Sequence, residues 1–183
     1  MRMIIIGNGG TGKAVLGERM GKDLRIPVFH LDLITWKKDH RKMTEPVFRQ
    51  RMLELMKNQD LILEGWGFQS TVRERLKWSQ AIVYLCFPLE TCLKAVAARN
   101  LEYSYKKYPY DVFEGDRLSK GDLYINTLTR IHNEYEPEVQ VWLKEMENKK
   151  LIYTFYSKED LDASYDNMLR RLRPPADLSQ KII

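Results

Sequence analysis

Apolar residues along this chain fall into short continuous runs, separated by stretches in which they recur every three or four positions. Residues 2–6 form the first run, rich in isoleucine and ending in a glycine cluster. Residues 26–31, 61–63, 81–87 and 151–155 are runs of the same kind. None shows the alternation of a strand with one wet face, so each predicts a strand buried on both sides. Between them lie helical patterns. Residues 13–23 have helical composition, and residues 44–58 set Val47, Phe48, Leu55 and Met56 in a stripe, with Pro46 in the first turn. Residues 89–100 read as another helix. Residues 121–148 form a long helical stretch that Pro137 should kink or split. Ser157 with Asp160 makes a capping-box-like start to a last helix, along which Leu161, Tyr165, Met168, Leu169 and Leu172 recur at helical spacing. Pro174 and Pro175 end it, leaving 174–183 as a tail.

Strand and helix thus alternate from end to end. That order predicts an α/β fold with five strands in a mostly parallel sheet, helices on both faces, in one domain over residues 1–173. Two segments interrupt the alternation. Residues 32–43 are polar and basic, and residues 101–120 are rich in tyrosine and charge without periodicity. Aperiodic stretches of that length inside a domain are usually functional or disordered.

Gly7-Asn8-Gly9-Gly10-Thr11-Gly12-Lys13 follows the first strand and opens the first helix, and fits G-x-x-x-x-G-K. Successive backbone N–H groups that converge on phosphate oxygens need backbone angles that glycine adopts cheaply, and the helix start adds its positive end. The lysine reaches the terminal phosphates. The same residues match G-x-G-x-x-G, but a dinucleotide site gives Lys13 no task. A P-loop is the reading, with Gly7 to Ala14 as the nucleotide-binding segment and ATP as the ligand. One position departs from the motif: Ala14 stands where Ser or Thr would ligate Mg²⁺. Mg²⁺ must then be held by phosphates, water and carboxylates, or the chain binds nucleotide without efficient turnover.

The segments 4–13, 26–32 with Trp36, 61–65 with Ser70 and Thr71, and the strand 82–88 resemble the adenylate-kinase-related P-loop proteins known as DNA topology modulation (FlaR-related) proteins. The resemblance spans about residues 1–100. It implies a three-layer P-loop NTPase fold of nucleoside-monophosphate-kinase type, with a lid at 101–120. It also implies two different activities, phosphoryl transfer from the architecture and DNA from the family name. That family usually has Asp where this chain has Glu64, and Ser or Thr in place of Ala14.

Asp32 ends the second strand, where a carboxylate orients or deprotonates an acceptor hydroxyl, or else caps the following loop. Glu64 ends the third, where it holds Mg²⁺ through water or is simply a polar strand end. Arginine suits phosphate oxygens and transition-state charge. Arg73 and Arg75 are expected on the acceptor side, Arg99 on the nucleotide, and Arg117 and Arg130 on the transferring group. Trp36, Trp66 and Phe68 flank the acceptor and either stack a ring or pack the core. Tyr103, Tyr105, Tyr108 and Tyr110, with Lys106 and Lys107, read as a small lid core or a single-strand nucleic-acid surface.

Composition narrows the rest. Two cysteines in 183 residues form no disulfide framework, and the three histidines show no metal-ligand spacing. The longest apolar run is too short to span a membrane, and no secretory signal opens the chain, so a cytoplasmic monomer or dimer is expected. The net charge of +5 is local: residues 32–57 carry seven basic and four acidic side chains, and residues 94–130 carry seven and five. Those are the segments expected to cover acceptor and lid. The expected partners are therefore a nucleotide and a small-molecule acceptor (a nucleoside monophosphate or another), without a DNA-reading motif. The alternative reading is a nucleotide-binding regulatory or DNA-binding protein with little transfer.

Overall fold

In the computed structural model of the chain, which describes residues 1–37, 41–103 and 121–173, Met3 to Ile6 have no solvent exposure at all. They belong to β1 (Arg2–Gly7), the central strand of a five-stranded sheet. Its neighbours are β3 (Leu61–Glu64) on one edge and β4 (Ala81–Leu85) on the other. β2 (Val28–His30) lies outside β3, and β5 (Leu151–Phe155) lies outside β4. Every pairing is parallel. A strand with neighbours on both edges and helices on both faces leaves no wet position, which is why β1, β3 and β4 are uninterruptedly apolar up to their ends.

Side chains alternate between two layers. Met3, Ile5, Ala81 and Val83 face α1 (Lys13–Leu24), α5 (Leu89–Tyr103) and α8 (Lys158–Leu172). Ile4, Ile6, Ile82 and Tyr84 face α4 (Gln69–Trp78) and α7 (Glu136–Met146). A third cluster joins Leu61 and Leu63 to α2 (Asp32–Thr35) and α3 (Glu45–Leu55) through Ile34, Phe48 and Met52. The stripe expected along residues 44–58 is met by Phe48, buried together with Met52, and by Leu55 and Met56, which pack against the same cluster, while Val47 is exposed.

The long stretch after residue 120 is divided where Pro137 required. α6 (Gly121–Arg130) passes into a π turn over Ile131–Tyr135, and α7 begins with Pro137 in its first turn. Proline has no N–H for the carbonyl four residues back, and the widened turn before it absorbs the mismatch. α4 escaped the sequence pattern. Its buried face is Thr71, Val72, Arg75 and Leu76, helical in spacing but only half apolar. Residues 101–103 continue α5, and the rest of the expected lid, 104–120 with Arg117, Tyr105, Tyr108 and Tyr110, lies outside the described residues, as does the tail 174–183.

α8 starts as the sequence requires. The Asp160 N–H donates to Ser157 Oγ at 3.1 Å, and the Tyr156 N–H donates to Asp160 Oδ2 at 3.3 Å. Substituting Ser157→Ala is expected to lower unfolding free energy by about 1 kcal/mol in urea titrations, with an unchanged slope.

Candidate functional site

Parallel strands end on the same edge, so Gly7, His30 and Glu64 are brought together. Ile5 pairs with Glu64, and His30 pairs with Glu64 from the other side. Beyond Gly7 the chain turns tightly into α1. Gly10 and Gly12 hold φ near +81° and +82°, and a Cβ on Gly10 would strike the Cys92 carbonyl. Both positions demand glycine. α1 has no side-chain cap and no acid in its first turn, so its first N–H groups are open to an anion. Lys13 Nζ donates to the Asn8 carbonyl at 2.8 Å, and Thr11 Oγ1 donates to the same carbonyl at 2.9 Å. Asn8 is fully buried: its amide donates to the Leu128 carbonyl at 2.8 Å and accepts from the Gly9 N–H at 2.8 Å. The loop is thereby tied to α6, the helix that ends in Arg130.

Asp32 opens α2, just past the end of β2. Asp32 is solvent-exposed; the protein around it and the Glu64 charge raise its pKa from the ordinary carboxylate value, and Lys13, Arg99 and His30 oppose this. Asp32, Lys13, Arg99 and Glu64 thus occupy one electrostatic neighbourhood, with Arg99 half-buried on α5. Glu64 is buried, and its Oε2 lies 2.7 Å from His30 Nδ1, while His30 Nε2 lies 2.7 Å from Glu18 Oε1. Two carboxylate acceptors require both ring nitrogens to carry hydrogen, so His30 is an imidazolium between α1 and β3. The Glu64 hydrogen bond raises its pKa most, against desolvation. Sequence reading passed over His30 because its partners are distant in the chain.

A cavity of about 330 Å³ opens beside this edge, between the 66–70 loop and α6. Trp66, Phe68 and Tyr135 give it aromatic walls, and Lys42 and Arg130 give it positive charge. The π turn matters here, because it sets Tyr135 five residues after Arg130 yet on the same face. The Arg130 guanidinium lies 5.2 Å from the Tyr135 ring, and Trp66 stacks on that ring at 6.4 Å. Arg130 also donates to Glu134 at 2.9 Å.

Three acceptor-side candidates are not among the residues that line the cavity. Arg75 is fully buried and touches no substrate; it donates to the carbonyls of Gly65 (3.0 Å) and Trp66, anchoring the cavity loop from behind. Burial without a carboxylate lowers its pKa to about 9. Arg73 pairs with Glu145 at 2.7 Å on the α7 side. Trp36 bridges to Lys42 and lies under its ammonium at 5.0 Å, outside the cavity wall. Lys42 itself gave no sequence signal beyond being one of many basic residues.

No protein-family model matches the chain, and no curated protein matches it in sequence. Solved structures do match. One is shikimate kinase from Bacteroides thetaiotaomicron, with a TM-score of 0.52 at 14% identity over 94% of this chain and 98% of that one. Another is a gluconokinase from Sinorhizobium meliloti 1021, with a TM-score of 0.54 at 13% identity over 93% and 91%. The chain has the P-loop kinase fold. At such identity the likeness concerns the fold alone, and it does not extend to the narrower DNA topology modulation family.

In P-loop proteins Mg²⁺ is held by a hydroxyl after the lysine. Here Ala14 and Val15 offer methyl groups, and the Thr11 hydroxyl is committed to Asn8. The loop side chains therefore do not fit a directly bound metal. Among the described residues, the carboxylates around Lys13 are Asp32 with its neighbour Glu64, and the buried Glu136.

The Glu18–His30–Glu64 chain has a signature in stability. The folded pKa of His30 lies above the unfolded value of about 6.5, so the charged form contributes fully below that pH and the contribution fades as pH rises through the folded pKa. Urea titrations of His30→Gln against the parent should show a stability gap that is widest below about pH 6.5 and narrows at alkaline pH.

Proposed function

We propose that this chain is an ATP-dependent phosphotransferase that moves the γ-phosphoryl group of ATP to a hydroxyl of a small molecule. The observation that carries the reading is the placement of Asp32, which opens α2 just past the end of β2, within electrostatic reach of Lys13 and Arg99. A phosphate acceptor would need no base, whereas an alcohol does. Both solved neighbours are kinases named for small-molecule substrates rather than nucleotides.

ATP phosphates lie on the 7–14 loop, over the N-terminus of α1. The acceptor oxygen gives its proton to Asp32 and forms a bond to the γ-phosphorus. The bond from that phosphorus to the β–γ bridging oxygen breaks, and ADP leaves with the electron pair. Lys13, Arg99 and Arg130 offset the charge on the phosphoryl oxygens, and Arg117, which lies outside the described residues, is expected to join them. Mg²⁺ brought by ATP would be held by Glu64 through water and would offset charge on the phosphates. A second reading, nucleotide binding without efficient transfer, draws on Ala14 alone.

Calorimetry with ATP followed by a transfer screen over sugars, polyols, hydroxy acids and nucleoside monophosphates separates the two. Transfer to a hydroxyl supports the first reading, and ATP binding without transfer to any acceptor supports the second. Lys13→Ala is expected to weaken ATP binding by roughly 10–100-fold. Asp32→Asn should lower kcat by roughly 10²–10⁴-fold while leaving ATP affinity nearly unchanged.

A further inference from the structure

A carboxylate heads the apolar stripe of α7. The buried residues of that helix are Glu136, Val139, Leu143 and Met146, at helical spacing, and Glu136 is only 2% exposed. Its Oε2 lies 2.8 Å from Nδ1 of His132, one turn back and half-exposed. Its Oε1 is buried and has no hydrogen-bond partner among the described residues. A carboxylate is costly to bury with one oxygen unpaired, so its charge needs a cation nearby.

The packing around the phosphate loop supplies one. The buried Asn8 amide ties the loop to the Leu128 carbonyl of α6, and a Cβ on Gly9 would sit 3.0 Å from the Leu128 side chain. On the other flank, a Cβ on Gly10 would strike the Cys92 carbonyl of α5. Burial first, and the Glu136 charge next, push up both the Cys92 thiol and the Tyr84 hydroxyl at the end of β4, so both are neutral neighbours. Burial likewise raises the Glu136 carboxyl, and the two cations that oppose this are His132 and Lys13. Glu136 therefore acts on groups of α1, β4 and α5, the elements that frame the loop. Lys13 Nζ rests on the Asn8 carbonyl at 2.8 Å, so the two charges attract across a gap rather than in contact.

Resting on the nucleotide site of the phosphotransferase reading above, we propose that Glu136 is a positioning residue for Lys13: its buried charge draws the ammonium back onto the loop and competes with the nucleotide phosphates for it. Nucleotide binding moves Lys13 toward the phosphates and leaves Glu136 with His132 alone. That separation limits nucleotide affinity and favours release of ADP after transfer. Asp32 also acts on Lys13, but it is exposed and salt screens it, whereas a buried charge is screened much less.

A double-mutant cycle on the nucleotide-free full chain tests the pair, and calorimetry with ATP tests the competition. In urea titrations at about 0.15 M salt, Lys13→Met should lower the folding equilibrium constant roughly threefold to tenfold, but less than about twofold in the Glu136→Gln background. Glu136→Gln alone should tighten ATP binding roughly threefold to tenfold, whereas a merely structural glutamate would weaken it or leave it unchanged. Equal losses from Lys13→Met in both backgrounds, no loss in either, or ATP binding that Glu136→Gln does not tighten would overturn the inference and leave the phosphotransferase reading standing. Should Glu136→Gln not fold, Lys13→Met still decides: a loss that persists at about 1 M salt supports a buried partner, and a loss that salt removes, or none, overturns the inference. No ATP binding by the parent chain would overturn the phosphotransferase reading, and this inference with it.

Discussion

Everything chemical in this protein depends on β1 being held in parallel register between β3 and β4. That register sets Ile5 beside Glu64 and Gly7 beside Leu85. It follows that the phosphate loop, the Glu64 carboxylate and the end of β2 emerge on one edge. The approach is close enough that a Cβ on Gly7 would sit 2.5 Å from the Leu85 carbonyl. The buried isoleucines of β1 thus do more than fill a core. They set the register at which the loop, Glu64 and the end of β2 meet.

Around that edge, charge is arranged in a gradient rather than a cluster. The Glu18–His30–Glu64 chain is internally compensated, a cation between two carboxylates at 2.7 Å each. Asp32 interacts electrostatically with Lys13, Arg99 and Lys42, and its raised pKa reflects the surrounding protein more than any single partner.

Motifs whose logic is local were readable in the chain. The P-loop needs seven consecutive residues, and the helix cap at Ser157 needs four; both are found where the residues put them. The five apolar runs became five parallel strands. Residues whose role depends on distant partners were not readable. Arg75 looked like a ligand-facing arginine because surface exposure is the usual fate of arginine. Its burial follows from the carbonyls of Gly65 and Trp66 being aimed at it. α4 was missed for the same reason: a buried arginine occupies the position where the pattern looks for an apolar residue.

By itself the sequence determined the fold class, the glycine-rich loop between β1 and α1 and the lack of a hydroxyl at Ala14, because each rests on residue type at short spacing. The tertiary structure decided where the basic residues sit. It withdrew Arg73 into a pair with Glu145, sank Arg75 behind the cavity and brought Lys42 and Arg130, far apart in the chain, to one cavity. Charge composition is a property of the whole chain, but complementarity is a property of direction. Only the packing of α4, α6 and the π turn gives those charges a direction.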